Sequence, residues 1–250
     1  MSNGGFVQVL VLAGIASLAA LAVAGLSSSQ SSSTTAAALE RVLRVDVLSR
    51  SAFERVLAAL ESPPDPFEQQ ALSSPAVLNL PRQDVVVSLE GEAGKVDAAR
   101  SPLATMVRLA DHLGLPAVGR GAFIADLEAL RSQGDAAQAL DLVRQRLSPL
   151  VADLDALVTI FGDERIDPTY APQVVLEAIP DLSPVEIAQI LSVPPPERGQ
   201  FTALSEHFAT NSRRFSIAAN IAWAPDQISI RRLPIELSTS GRAIVLSGAY

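Results

Sequence analysis

The chain has 250 residues, 48% of them hydrophobic but only 4% aromatic, so a sizeable core has to be packed mainly by Ala, Val and Leu. A formal net charge of −8 argues against a general nucleic-acid binder, whose phosphate contacts need clustered Lys and Arg. With no cysteine, disulfides, thiolate metal sites and cysteine nucleophiles are excluded.

Residues Phe6 to Leu26 are apolar apart from Gln8 and Ser17 and carry no charge. As a helix rising about 1.5 Å per residue the run spans roughly 31 Å, the thickness of a bilayer's hydrocarbon core, and a membrane anchor is predicted. Two readings of its processing compete. Ala22-Val23-Ala24 before Gly25 has the small-x-small form of a signal-peptide site, but Met1-Ser2-Asn3-Gly4-Gly5 lacks the basic residues that such a leader carries. The junction Gly5-Phe6, directly before the apolar run, is similar to type IV pilin-like leaders, which end in Gly, continue with Phe and retain the run as an anchor. Pilins carry Glu at the fifth residue after the cut, where this chain has Leu10.

Ser27 to Thr35 is a Ser/Thr/Gln tract whose composition reads as a linker. Ala36 to Leu60 reads as an amphipathic helix, with a stripe of Val42, Val45, Ala52, Val56 and Leu60 and an i,i+4 pair of Glu40 and Arg44. Pro63-Pro64 stops it. A loop is predicted over Asp65 to Arg82, then a strand in which Val85, Val87 and Leu89 alternate with Val86, Ser88 and Glu90. The pattern is then helical to about Thr210, with helices starting near Pro102, Ala122, Ala136, Pro172 and Ser183 and breaks at Gly114, Gly119 and Gly134. Beyond Arg214 period two returns. Phe215, Ile217, Ala219, Ile221 and Trp223 share a face, followed by Ile228 and Ile230, then Ile235 and Leu237 after Pro234, then Ile244 and Leu246. Turns at Pro225-Asp226 and Ser240-Gly241 predict an antiparallel meander.

This order of long helix, strand, helical block and strands predicts an α+β fold with a long N-terminal helix packed on an antiparallel-rich sheet and a large inserted α-helical domain. The expected segments are a leader at 1–5, an anchor at 6–26, linker and helix at 27–62, an α+β domain from 63–91 with 211–250, and an insertion at 92–210.

Inside the insertion lies an internal repeat. Lys95-Val96-Asp97-Ala98-Ala99-Arg100-Ser101-Pro102 aligns without gaps to Arg165-Ile166-Asp167-Pro168-Thr169-Tyr170-Ala171-Pro172, with Met106 and Leu176 in register. Asp97 and Asp167 are suited to accept backbone N–H groups in a turn, and Pro102 and Pro172 suit the first positions of a helix. The second copy continues through Val175-Leu176, Ile179-Pro180-Asp181-Leu182-Ser183 and Ile187-Ala188. It resembles a helix-hairpin-helix unit in which Asp181 replaces the hairpin Gly. DNA-binding hairpins offer Gly N–H groups to a phosphate, which an acid at Asp181 repels, so a structural use of the motif is expected.

Catalytic signals are sparse. His112 and His207 read as surface or helix-end residues, Gly162-Asp163-Glu164 and Asp226 as scattered acids, Arg231-Arg232 as a solvated strand edge, and Trp223 as sheet core. There is no phosphate loop and no G-x-S-x-G elbow.

In this order the motifs resemble the minor pseudopilin K family of the type II secretion system, which lacks the pilin Glu. Glu92-Ala93-Gly94-Lys95-Val96-Asp97, Phe201-Thr202-Ala203-Leu204 and Phe215-Ser216-Ile217 add to the likeness. The resemblance implies a non-enzymatic protein, cut after Gly5 by prepilin peptidase and methylated on Phe6, anchored in the bacterial inner membrane with its domain in the periplasm. It implies other minor pseudopilins and the major pseudopilin as partners, a place at the pseudopilus tip, and no nucleic acid. No cofactor is expected, and calcium is left open without a motif to hold it. The alternative is a membrane-anchored or exported periplasmic helix-hairpin-helix protein that binds nucleic acid.

Overall fold

The computed structural model describes residues 35–60, 75–81, 83–209, 213–224, 227–237 and 243–246. Gly5, Phe6, Leu10 and the predicted anchor lie outside these residues, and among the described residues no helix is long and apolar enough to cross a membrane. The chain divides into two compact units, Met1–Leu48 and Ser49–Tyr250. The described part of the first is helical and exposes Leu39, Val42, Leu43 and Val47, so Val42 does not belong to a buried stripe.

Helix α1 is described over 35–60. In the second unit it buries Ala52, Phe53, Val56 and Leu60, and Arg55 Nη1 donates to the Asn79 carbonyl at 2.9 Å. Next comes a hairpin of β1 (Ala76–Leu80) and β2 (Gln83–Gly91). Strand β1 occupies part of the expected loop. It is only five residues long, with Ala76 and Leu80 buried on one side and Val77 exposed on the other, a pattern too brief to stand out from a loop.

The segment between β2 and the next long strand is mainly helical. It opens with a 3-10 turn, Glu92–Gly94, and β3 (Val96–Asp97), which pairs in parallel with β4 (Val158–Thr159). Between them run α2 (Leu103–His112), α3 (Ala117–Ser132) and α4 (Ala136–Leu147), followed after β4 by α5 (Gln173–Ala178) and α6 (Pro184–Ser192). Gly114 and Gly134 take φ values of 87° and 74°, the left-handed conformation that ends a helix without penalty only for Gly. Gly119, by contrast, lies inside α3, which starts at Ala117 and not near Ala122, because Pro116 supplies the helix start. One hydrophobic core, with Met106, Leu109, Phe123, Leu127, Leu147, Leu176 and Ile190 almost wholly buried, is drawn entirely from this segment.

Strands β5 (Arg214–Ala224), β6 (Gln227–Leu237) and β7 (Ala243–Val245) return to the first hairpin and complete a five-stranded antiparallel sheet in the order β1-β2-β5-β6-β7. The register sets Leu89 against Ile217 and Ile217 against Leu233, and the alternation buries Val85, Val87 and Leu89 with Ile217, Ala219, Ile221 and Ile235. Trp223 does not join that core. It sits half-buried at the β5 irregularity between Ala222 and Ala224, where the register slips. Pro234 lies within β6 and does not interrupt it. Its carbonyl accepts from Leu246 N at 3.0 Å, so the side lacking an N–H also faces β7, and the long β5 ladder loses no bond.

Candidate functional site

The two repeat copies build matching turns. Asp97 Oδ1 accepts from the N–H groups of Ala99 and Arg100, both at 2.8 Å, and Asp167 Oδ1 accepts from Thr169 N–H at 2.9 Å. Each Asp follows a residue in parallel pairing, Val96 with Val158 in the first copy and Ile166 with Phe208 in the second. Pro102 and Pro172 then stand at the N-caps of α2 and α5, and Met106 and Leu176 are both fully buried. A second helix follows in each copy, α3 after Pro116 and α6 after Ser183, whose hydroxyl and Glu186 form a reciprocal capping box.

The copies lie side by side. From α2, Arg108 Nη1 donates to the Pro180 carbonyl at 2.7 Å, and His112 Nε2 lies 3.0 Å from the Glu177 carbonyl. Asp181, beside that occupied carbonyl, takes the Ser205 hydroxyl between its two oxygens at 2.9 and 2.8 Å, and Ser205 Oγ accepts from His207 N–H. The acid in the hairpin thus fastens the second copy to the segment that pairs with Ile166. Arg131 closes the first turn, donating to the carbonyls of Ala98 and Ser101 at 2.8 Å each. Asp97 is fully buried with Oδ2 lacking a partner. Burial pushes its carboxyl above the usual range, opposed by the two turn N–H groups, and burial lowers Arg131.

These turns sit on the end of β2. Asp167 N–H donates to Ala93 O at 2.8 Å, and Tyr170 packs edge-on to Phe215 with ring centres 5.5 Å apart. A methyl placed on Gly91 would overlap the Tyr170 ring and Cβ, and one on Gly94 would overlap the Tyr170 carbonyl. Both glycines are therefore demanded by close approach. Burial, and then the charge of Asp167, raise the Tyr170 hydroxyl above its ordinary pKa.

Beside this contact runs a chain of ion pairs. Arg232 on β6 donates to Glu90 on β2 at 2.8 and 3.1 Å and to Asp153 in the insertion at 3.0 and 2.7 Å. Lys95, only 4% exposed, reaches Glu90 at 3.1 Å and the buried Glu92 at 2.7 Å, and Glu92 also accepts from the Thr159 hydroxyl. Burial opposes ionisation of Glu90, but the hydrogen bond from Arg232 and the charge of Lys95 outweigh it and hold the carboxyl below its usual range. Burial likewise opposes the Arg232 charge, and the hydrogen bonds to Glu90 and Asp153 overcome it and raise its pKa. The solvated-edge expectation for Arg231-Arg232 fails in part: Arg231 is exposed, but β6 lies inside the sheet and Arg232 is the bridge from sheet to insertion. Glu90, Glu92 and Asp153 are each held by a cation or a hydroxyl, an arrangement that joins two layers. Among the described residues no group of three or more His, Asp or Glu converges to hold a metal.

The repeat turns were legible from Asp and Pro spacing. The seam was not, although the cluster Glu90-Gly91-Glu92-Ala93-Gly94-Lys95 carries its signal, two glycines among three charges directly after an apolar strand.

No family model and no curated protein matches the chain. Among solved structures it is similar to a chain of the crystal structure titled as the GspK-GspI-GspJ complex from the enterotoxigenic Escherichia coli type 2 secretion system. The match has 17% identity and a TM-score of 0.52, and covers 84% of this chain and 96% of that one. At that identity the likeness is one of architecture. The described chain has an α+β, pseudopilin-like fold, with mixed helices and an antiparallel sheet.

Proposed function

We propose that the chain is a minor pseudopilin of the type II protein secretion system, of the K class, which caps or initiates the periplasmic pseudopilus tip with other minor pseudopilins. The observation that carries this reading is the order of elements: helix and hairpin, a large helical insertion, then returning strands, on a fold shared over most of its length with a chain solved among minor pseudopilins. The protein works as an assembly part, not as an enzyme, and needs no cofactor. Prepilin peptidase cuts after Gly5, Phe6 becomes the methylated N-terminus, and 6–26 anchors the chain in the inner membrane. Leu10 marks the tip in this reading. A subunit without the carboxylate has nothing to offer the amine of a neighbour above it, and an unmatched charge in hydrocarbon is costly. The helix-hairpin-helix resemblance is read as structural, because Asp181 is engaged by Ser205 and the Pro180 carbonyl by Arg108.

Mass spectrometry of the mature protein tests the reading. The expected first residue is Phe6, and Gly5 changed to a bulky residue blocks the cut. A mature chain beginning at Gly25 makes the apolar run a removed signal peptide and sinks the anchored-pseudopilin reading.

A further inference from the structure

Strand β6 lies inside the sheet order, yet β7 covers only its end. β7 pairs with Ile235–Leu237, and the Leu246 N–H adds one bond to the Pro234 carbonyl. That bond fixes which backbone groups face outward. Pro234 turns its carbonyl toward β7, so by the period of two Ile228, Ile230 and Arg232 turn theirs to the same side, while Ser229, Arg231 and Leu233 face β5. Among the described residues no group meets the outward N–H and C=O of Ile228, Ile230 and Arg232, and the side chains of Ile228 and Ile230 are exposed. The opposite edge of the sheet is closed by contrast. β1 is five residues long between Pro75 and Pro81, and Arg55 Nη1 takes its Asn79 carbonyl at 2.9 Å. β6 has no proline from Gln227 to Leu233. Room lies beside it as well, in a cleft of about 360 Å³ lined by Ile230 and Arg232 from the strand and by Leu140 and Arg144 from α4. Charge selects nothing there, since Glu92, Asp141 and Asp155 line the cleft beside its cations. What the edge can recognise is backbone.

We propose that the β6 edge from Ile228 to Arg232 is an augmentation site, which takes an extended segment of a partner protein as an added strand. Three donors and three acceptors alternating along a strand are matched by another strand. A helix has spent its backbone groups internally, and an apolar ligand has none to give. Residues of the added strand opposite Ile228 and Ile230 lie on the face that those side chains occupy, so aliphatic or β-branched residues at alternate positions are favoured. The inference needs only the edge and stands whether or not the chain acts in secretion.

The test uses the full chain in zwitterionic nanodiscs, with amide exchange followed by NMR. In the free chain the Ile228, Ile230 and Arg232 amides should exchange at least tenfold faster than those of Ser229, Arg231 and Leu233, which bond to β5. The probe is a peptide of about seven residues alternating Val and Thr, made in two forms, N-methylated on every Thr or on every Val. Only the first keeps its donors on the edge that sets the valines beside Ile228 and Ile230. It should slow the three outward amides and bind at least tenfold more tightly than the second. Ile230→Pro removes a donor on the side where Pro234 already lacks one, so it should keep the fold and weaken peptide binding at least tenfold. The two peptides meet the same unaltered protein, so their comparison does not depend on how that variant folds. The proposal is overturned if both peptides bind alike, which is apolar adhesion, or if neither binds. It is also overturned if the three amides are already protected in the free chain. Loss of that protection on dilution assigns the edge to a second copy, and loss in a chain ended at Leu246 assigns it to this chain's own residues.

Discussion

Gly91 and Gly94 both face Tyr170, but a side chain at each would meet a different obstacle, and the difference is measurable. At Gly91 the clash is with the Tyr170 side chain, its ring and its Cβ, and at Gly94 with the Tyr170 backbone. Gly94→Ala should cost upwards of about 2 kcal/mol and should not be relieved by trimming Tyr170. Gly91→Ala should be similarly costly alone, yet in the double variant with Tyr170→Gly, which removes the ring and the Cβ that also lies 2.6 Å away, much of that cost should vanish. Denaturant melts of the cycle read this directly. Titration gives a second check at this scale. Glu90 has a folded pKa below its unfolded value, so its stabilising effect is full above about pH 4.5 and is lost as pH falls through the folded value. Asp97 runs the other way. The native state holds its proton more tightly than the unfolded chain, so ionisation costs stability above the ordinary carboxyl range and that cost disappears as pH falls. The stability gap between the wild type and Glu90→Gln should therefore narrow on acidification, while Asp97→Asn should lose its relative advantage. Parallel pH profiles for the two variants would contradict these assignments.

Arg232 links strand to insertion, which makes it a test of how the elements are joined. Replacing it with Met leaves Glu90 and Asp153 facing a mostly buried gap. The expected loss is roughly 2–4 kcal/mol, at the lower end of buried-pair values because Asp153 is about a third exposed. Calorimetry should show the loss shrinking when Glu90→Gln is already present. The same residue shows where sequence reading runs short. Alternation in Phe215 to Ile221 is a local pattern and made β5 legible, and Asp-Pro spacing did the same for the repeat turns. Whether Arg232 meets solvent or Glu90 depends on which strand lies across β5 from β6 and on where the insertion folds back, and both are set by contacts more than 75 residues apart in the chain. Strand β1 is illegible for a related reason, since a five-residue edge strand has too few alternations to outweigh the loop-like prolines around it. Parity alone puts Trp223 in the core, and the slip between Ala222 and Ala224 breaks that parity.

For the whole molecule, the fold places a helical insertion with its own core between β2 and β5, seated by Tyr170 and the Arg232 ion pairs. A body of this size on one subunit suits the end of a filament better than its shaft, where neighbours stack from both sides. The proposed absence of a pairing carboxylate at Leu10 points the same way. Replacing Leu10 with Glu should leave the domain folded and weaken membrane retention or tip incorporation, because the added carboxylate has no amine above it, at a cost of order a few kcal/mol. The most direct test is imaging of tagged subunits on assembled pseudopili. The account predicts few copies per filament, at one end, and failed initiation in the deletion strain. Wild-type protein distributed along the shaft would contradict it, whatever the Leu10 variant does.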